Sequence, residues 1–185
     1  MQIFLETGHL TLRRFTAADE DNLFELNSDP EVMRYLGDGK PTPREVIRNE
    51  VVPYLLGFYE QFEGFGFWAA VEKATGQFLG WFHFRPAADG AIELGYRLRR
   101  SAWGKGYATE GSRALIDKGF TEFGVRRVVA ETMAGNQGSM RVLEKSGLIQ
   151  VDTPEPDAAD SAGQGHVVYE LTRADWEARH RPVSW

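Results

Sequence analysis

Short runs of alternating apolar and polar residues set the rhythm of this chain, and between them apolar residues return every three or four positions. Leu10 to Phe15 alternates and predicts an edge-type strand. Thr16 is a suitable cap for a following helix, with Asp19, Glu20 and Asp21 near its positive end and Leu23, Phe24 and Leu26 on its apolar side. Asn27-Ser28-Asp29-Pro30 ends that helix, and the segment on to Pro43 reads as a loop rich in Gly and Pro. Thr42-Pro43-Arg44-Glu45 combines a cap, a first-turn proline and a glutamate three residues after the threonine. The helix it starts is expected to reach about Phe62, with Pro53 as a kink or break.

The second half continues the pattern. Phe67 to Glu72 and Phe78 to Phe84 are strands joined by a turn at Thr75-Gly76, a hairpin. Ala88-Asp89-Gly90 turns into a strand from Ala91 to Leu98. A turn at Gly104-Lys105-Gly106 leads to a helix from Tyr107 to Phe123, and Arg126 to Thr132 is a short apolar strand. Asn136 caps a helix with Met140, Val142 and Leu143 on its apolar side; Gly147 stops it, and Leu148 to Val151 is a strand. Asp152 to Gly165 is expected to be a loop, His166 to Leu171 the last strand, and the tail after Thr172 about two helical turns. Strands and helices in mixed order imply an α/β chain with an α+β mixed sheet, read as a single domain over residues 1–185. No internal repeat is visible.

Composition narrows the function classes. At 42 % hydrophobic and 26 % charged residues the balance is that of a soluble domain. A net charge of -6 argues against a general nucleic-acid binder, which needs a basic face to displace counterions. Cysteine is absent, which excludes disulfides, thiol catalysis and cysteine-based zinc sites. The four histidines and scattered acids show no metal-ligand spacing, so no metal is expected. The first residues are too few and too polar for a signal peptide, and no apolar run approaches membrane-spanning length. A cytoplasmic protein is expected, with no membrane or nucleic-acid partner; a homodimer is compatible with this reading.

The richest chemistry lies between Glu93 and Leu148. Glycines that expose backbone N–H groups at the start of a helix make an anion site, favoured further by the helix dipole. Arg97, Arg99, Arg100 and Lys105 lie on the approach, and no acidic residue falls between Leu94 and Thr109. A phosphorylated ligand is therefore expected. The P-loop pattern is absent, because Lys105 is followed by Gly106. The dinucleotide fingerprint lacks its third glycine, since Ala108 and Thr109 follow Gly106.

The whole segment resembles the acyl-CoA-binding loop of the GNAT acetyltransferases, [Q/R]-x-x-G-x-[G/A], with Gly106 and Ala108 at its last fixed positions. Trp103 stands in place of the Gln or Arg, a departure shared by the ribosomal-protein N-acetyltransferase (RimJ/RimL-like) branch, where Trp-Gly-Lys-Gly-Tyr-Ala-Thr-Glu is typical. Asn136 to Leu148 is similar to the family's second signature, N-x-x-[AS]-x-x-x-x-x-x-x-G-[FL]. The resemblance implies a GNAT-like fold, a mostly antiparallel twisted sheet with flanking helices, and transfer of an acetyl group from acetyl-CoA to a primary amine. The acceptor it implies is a protein N-terminal α-amine or a small amine.

Acyl transfer needs a base for the amine, N–H donors for the oxyanion and a proton for the departing thiolate. The resemblance makes Glu93 the candidate base, acting directly or through water; an ordinary solvent-facing strand Glu would look the same in sequence. Gly104, Lys105, Gly106, Tyr107, Ala108 and Thr109 would offer backbone N–H groups to the pyrophosphate, with Trp103 beside them as a further cofactor-binding candidate; Leu98 would pair with the pantetheine arm by backbone, and Arg99, Arg100 and Arg113 could meet the 3′-phosphate. Asn136 would contact the pantetheine, or serve only as a helix cap. The family's candidate acid, a Tyr, falls at Leu143 here. Ser139 stands where the branch has a candidate proton donor, so it is a candidate for both catalysis and ligand contact. Trp81, His83 and Tyr96 read first as core residues and second as pocket lining. The missing Tyr keeps open a non-catalytic acyl-CoA-binding module of the same fold, and a dinucleotide-dependent oxidoreductase is the weaker third reading.

Overall fold

The computed structural model describes residues 2–151 and 165–180. Eight strands form one sheet: β1 (Ile3–Glu6), β2 (Leu10–Arg14), β3 (Gly66–Glu72), β4 (Phe78–Pro86), β5 (Ile92–Leu98), β6 (Arg127–Met133), β7 (Ile149–Val151) and β8 (His166–Thr172). Their spatial order is β1-β2-β3-β4-β5-β6-β8-β7. Every pairing is antiparallel except β5 with β6. The expected mixed sheet with flanking helices is therefore present.

The strand period of two separates two cores. On one face Leu10, Leu12, Trp68, Ala70, Phe82, Phe84 and Leu94 pack against Leu115, Ile116 and Phe120. Those last three lie on α5 (Tyr107–Glu122), which is joined on this face by α6 (Gln137–Lys145). Close approach is what Gly111 and Gly119 provide. A Cβ on Gly111 would stand 2.3 Å from the Phe82 ring, and one on Gly119 would stand 2.6 Å from Phe84. On the opposite face Phe15, Phe67, Ala69 and Phe78 meet Leu23 and Leu26 of α1 (Glu20–Ser28), and Val52 and Leu55 of α4 (Val52–Gln61). A fully buried Phe or Leu in either core is worth about 1.5–3 kcal/mol of transfer free energy.

Three local expectations are corrected. Asp29-Pro30 does not only end α1. Asp29 accepts a hydrogen bond from Glu31 N at 2.9 Å and Pro30 sits in the first turn, so α2 (Pro30–Met33) forms inside the supposed loop. Thr42 is not a cap: Pro43 occupies the N-cap of α3 (Arg44–Val46), and Thr42 N instead donates to Asn27 O of α1 at 3.0 Å. Pro53 does not break its helix. A π-helical turn over Ile47–Val51 precedes α4, closed by Val52 N to Ile47 O, and the wider turn accommodates the proline in the first turn of α4. Strand β1 was not anticipated. The expected loop from Asp152 lies outside the described residues up to 164. The tail helix is α7 (Arg173–His180). Among the described residues no helix is long and apolar enough to cross a membrane.

Candidate active site

The site begins where two parallel strands part. β5 and β6 pair only at Ile92↔Val128 and Glu93↔Val129, although β5 runs to Leu98 and β6 to Met133. Past Glu93 the β6-facing edge of β5 has no strand partner among the described residues. Such an edge accepts an extended ligand as an added strand. Glu93 sits at the apex of the opening, and Leu98 lies toward its mouth with its carbonyl accepting from the Trp103 indole at 2.8 Å.

Beyond the mouth, Trp103, Gly104, Lys105 and Gly106 are exposed. Gly104 and Gly106 have φ of +73° and +89°, left-handed values that L side chains rarely adopt, and a Cβ at either would meet nothing within 4 Å. Their glycine requirement is conformational. Gly106 is the N-cap of α5 and offers no side-chain cap, so the first-turn amides of Tyr107, Ala108 and Thr109 stay available for an anion. A groove of about 540 Å³ continues along α5, lined in part by Gly106, Thr109, Arg113 and Lys145. Arg113 donates to Lys145 O at 3.0 Å. Arg99 is paired with Glu25 of α1 at 2.7 Å. An acidic residue absent from the turn's own sequence arrives from β3, where Glu72 accepts from Tyr107; Glu110, the residue after Thr109 on α5, accepts from His9 N at 2.8 Å.

On the α1/α4 side, β4 and β5 project Trp81, His83 and Arg85 opposite Arg97, Gly95 and Glu93 in register. Arg85 Nη2 is 2.7 Å from Glu93 Oε2, and His83 Nε2 approaches Glu93 Oε1 to 3.3 Å without hydrogen-bond alignment. His83 first, and Arg85 with it, hold the Glu93 carboxyl below its ordinary range against the opposing effect of burial. Burial pulls the His83 imidazole down, opposed by Glu93. At neutral pH the pair is a carboxylate beside a neutral imidazole. Gly95 makes this contact feasible: a Cβ there would lie 2.5 Å from His83 Nε2. A lone glycine within the strand pattern is the one sequence signal that could have marked this crossing.

On the other side of the opening, Asn136 Oδ1 accepts from Ser139 N at 3.1 Å in the first turn of α6. The Tyr96 hydroxyl lies 3.0 Å from Ser139 Oγ and donates to Ser139 O at 3.0 Å, linking β5 to α6 across the gap. Burial raises the Tyr96 pKa. Leu143 is buried in the core and brings no hydroxyl. The structure thus brings Glu93, Asn136 and Ser139 to the two flanks of one opening, with the glycine turn at the far end of β5. The Tyr96 link to Ser139 had no motif to announce it.

Comparison with known proteins places the chain in a family. A family model described as an acetyltransferase (GNAT) domain matches residues 9–149. The FsC-acetyl coenzyme A-N(2)-transacetylase of Aspergillus fumigatus is 32 % identical, over 96 % of this chain and 80 % of its own length. A solved acetyltransferase from Agrobacterium tumefaciens superposes with a TM-score of 0.72 at 26 % identity, covering 90 % of this chain and 92 % of that one. The ribosomal L7/L12 α-N-protein acetyltransferase RimL, solved with coenzyme A, superposes with a TM-score of 0.78 at 17 % identity, covering 92 % and 98 % of the two chains. At that identity the likeness is one of fold alone.

Proposed function

The chain belongs to the acetyltransferase (GNAT) family, and from that premise we propose that it transfers an acetyl group from acetyl-CoA to a primary amine by direct attack. The observation that carries this reading is the parting of β5 from β6 immediately after Glu93, with the exposed glycine turn at the other end of the same strand. In this reading the backbone amides of the turn and of the start of α5, from Gly104 to Thr109, receive the diphosphate together with the Lys105 side chain. Trp103, Leu98 and Asn136 line the path of the pantetheine arm; Arg100 and Arg113 are the candidates for the 3′-phosphate, while Arg99 is paired with Glu25 of α1.

The amine nitrogen attacks the thioester carbonyl carbon, and a C–N bond forms. Open β5 amides donate to the resulting oxyanion. The proton released by the amine leaves by way of Glu93, directly or through water. Collapse breaks the C–S bond, and the thiolate takes the proton of the Ser139 hydroxyl, which solvent then restores. The products are an N-acetylated amine and free CoA, with no covalent enzyme intermediate and no metal. The acceptor is a protein N-terminal α-amine or a small amine, and the ribosomal-protein branch is the finer form of the proposal. We further propose a cytoplasmic enzyme acting as a single domain over residues 1–185, with a homodimer compatible with this reading. A second reading, a non-catalytic acyl-CoA-binding module, is favoured by one observation: Leu143 in place of the family Tyr.

An acceptor panel read out as free CoA, together with thermal shift in saturating acetyl-CoA, tests the proposal. Acetyl-CoA should raise the melting temperature and at least one amine should release CoA. A shift without turnover supports the binding module, and no shift at all overturns both readings.

A further inference from the structure

Arg85 and Glu93 face each other directly across the β4–β5 register. Arg85 Nη2 stands 2.7 Å from Glu93 Oε2, and this is the only ion pair that Arg85 makes among the described residues. Oε1 of the same carboxyl is turned the other way. It lies 3.3 Å from His83 Nε2, beside Gly95, and takes no aligned hydrogen bond from it. Gly95 is the next residue on that face of β5, on the length of strand that β6 has left. Glu93 keeps 28 % of its side chain exposed, so the carboxyl stays within reach of a ligand. The other charges near this face are engaged elsewhere. Arg97 of β5 stacks over Trp81 at 5.0 Å and donates to Asn27 of α1, and Glu25 of α1 holds Arg99. On β6 the register partner of Glu93 is the uncharged Val129, and Arg127 is held by Asp89 and Glu170. The one charge on α4, Glu60, is exposed.

A free carboxylate has two equivalent oxygens, and here their surroundings make them unequal. The geometry points to Arg85 as a positioning residue: its guanidinium ties down Oε2 and leaves Oε1, on the open side of β5, as the oxygen that takes the proton of the attacking amine. An N–H bond breaks and an O–H bond forms on Oε1, directly or through one water. An unanchored carboxyl turns freely about its last torsion, and only some of its orientations present an acceptor to the open edge. The cation also keeps the carboxyl ionised and ready to accept. An ion pair this exposed adds little to folding, so Arg85 matters to turnover far more than to stability. This inference rests on the acetyl-transfer reading above and names the residue that readies its base.

The test is a double-mutant cycle of Arg85→Gln and Glu93→Gln over a pH series. The acceptor is an amine of low basicity, so that its own protonation does not mask that of the enzyme. Arg85→Gln alone should lower kcat by about 10-fold and move the acid limb of the profile up by about one pH unit. Added to Glu93→Gln it should cost nothing further, because the group through which it acts is gone. Arg85→Lys should return the limb toward wild type, since the charge is restored, and recover only part of kcat, since the planar fork is not. The melting temperature of Arg85→Gln should stay within about 2 °C of wild type. Equal fractional losses in the two backgrounds overturn the assignment, as does a fall in kcat with an unmoved limb, which is what a merely structural role gives. Carbon-13 NMR titration of the Glu93 carboxyl in wild type and in Arg85→Gln reads the same pair without turnover. A midpoint raised by about one unit in the variant supports the assignment, and an unmoved one overturns it. A wild type that acetylates nothing counts against the proposed function, and the titration still decides the Arg85–Glu93 pair; a Glu93→Gln protein with full activity overturns the positioning role together with the base.

Discussion

The two ends of β5 recognise by different means. At the Leu98 end the turn is exposed, its donors are backbone amides, and its glycines are required only for their dihedrals. At the Glu93 end the polar groups are side chains from two strands, partly enclosed, each altering its neighbours' ionisation. The first end tolerates many side chains and depends on one backbone conformation. The second tolerates backbone variation poorly because Gly95 leaves room for His83 by a single missing carbon. Charge chemistry thus sits where water is partly excluded, and the diphosphate would be gripped where water is free to leave.

Breaking the Glu93 end should have the larger consequence. Glu93→Gln keeps the shape but replaces one carboxylate oxygen with an NH₂ group and removes the charge and the proton-accepting basicity, so kcat should fall by about 10²–10³-fold with acetyl-CoA binding retained. Stopped assays over a pH series check this, and an unchanged kcat would remove Glu93 from the chemistry. The Leu98 end is broken by Gly106→Val. A β-branched residue at φ +89° is strained by roughly 1–3 kcal/mol, and the KM for acetyl-CoA should rise about 10-fold or more while the acceptor KM stays put. Equal damage to both constants would erase the distinction between the two ends.

Gly95→Ala sharpens it. The new methyl must displace the His83 ring, so kcat/KM for the amine should fall by about 10-fold with no change in acetyl-CoA affinity by calorimetry. The smallest effect is on stability. Burial lowers the folded-state pKa of His83 below its ordinary 6.5, and its neighbours lower that of Glu93 below 4.5. Each lowered group contributes stability that is fully present above its unfolded value and is lost as pH falls toward the folded one. Melting temperature should therefore decline on acidification below about pH 6.5. His83→Asn should flatten that first limb by about 2–4 °C, the shift that roughly 1 kcal/mol produces in a chain of this size. A melting curve flat from pH 7 to 5 in wild type would contradict the buried neutral imidazole.

The strand boundaries, the α5 start, the Asn136 cap and the α6 stop were legible because each is written in adjacent residues. The Asp29-Pro30 cap was written just as locally and was read only as an end. The π-turn before Pro53 is stated by no local pattern in the residues around it. At the site, the glycine turn was legible in full, while Arg99 on the expected phosphate approach proved to face Glu25, 74 residues away in the chain.

By itself the sequence determined most of the elements, the mixed sheet and the exposed glycine turn before α5, because dihedral preference and hydrophobic period are properties of neighbouring residues. The tertiary structure alone decided that β6 leaves β5 after Glu93, that His83 crosses Gly95, and that Arg97 lacks a carboxylate among the described residues. Register and strand order set those contacts, and they are fixed only when distant segments pack against one another.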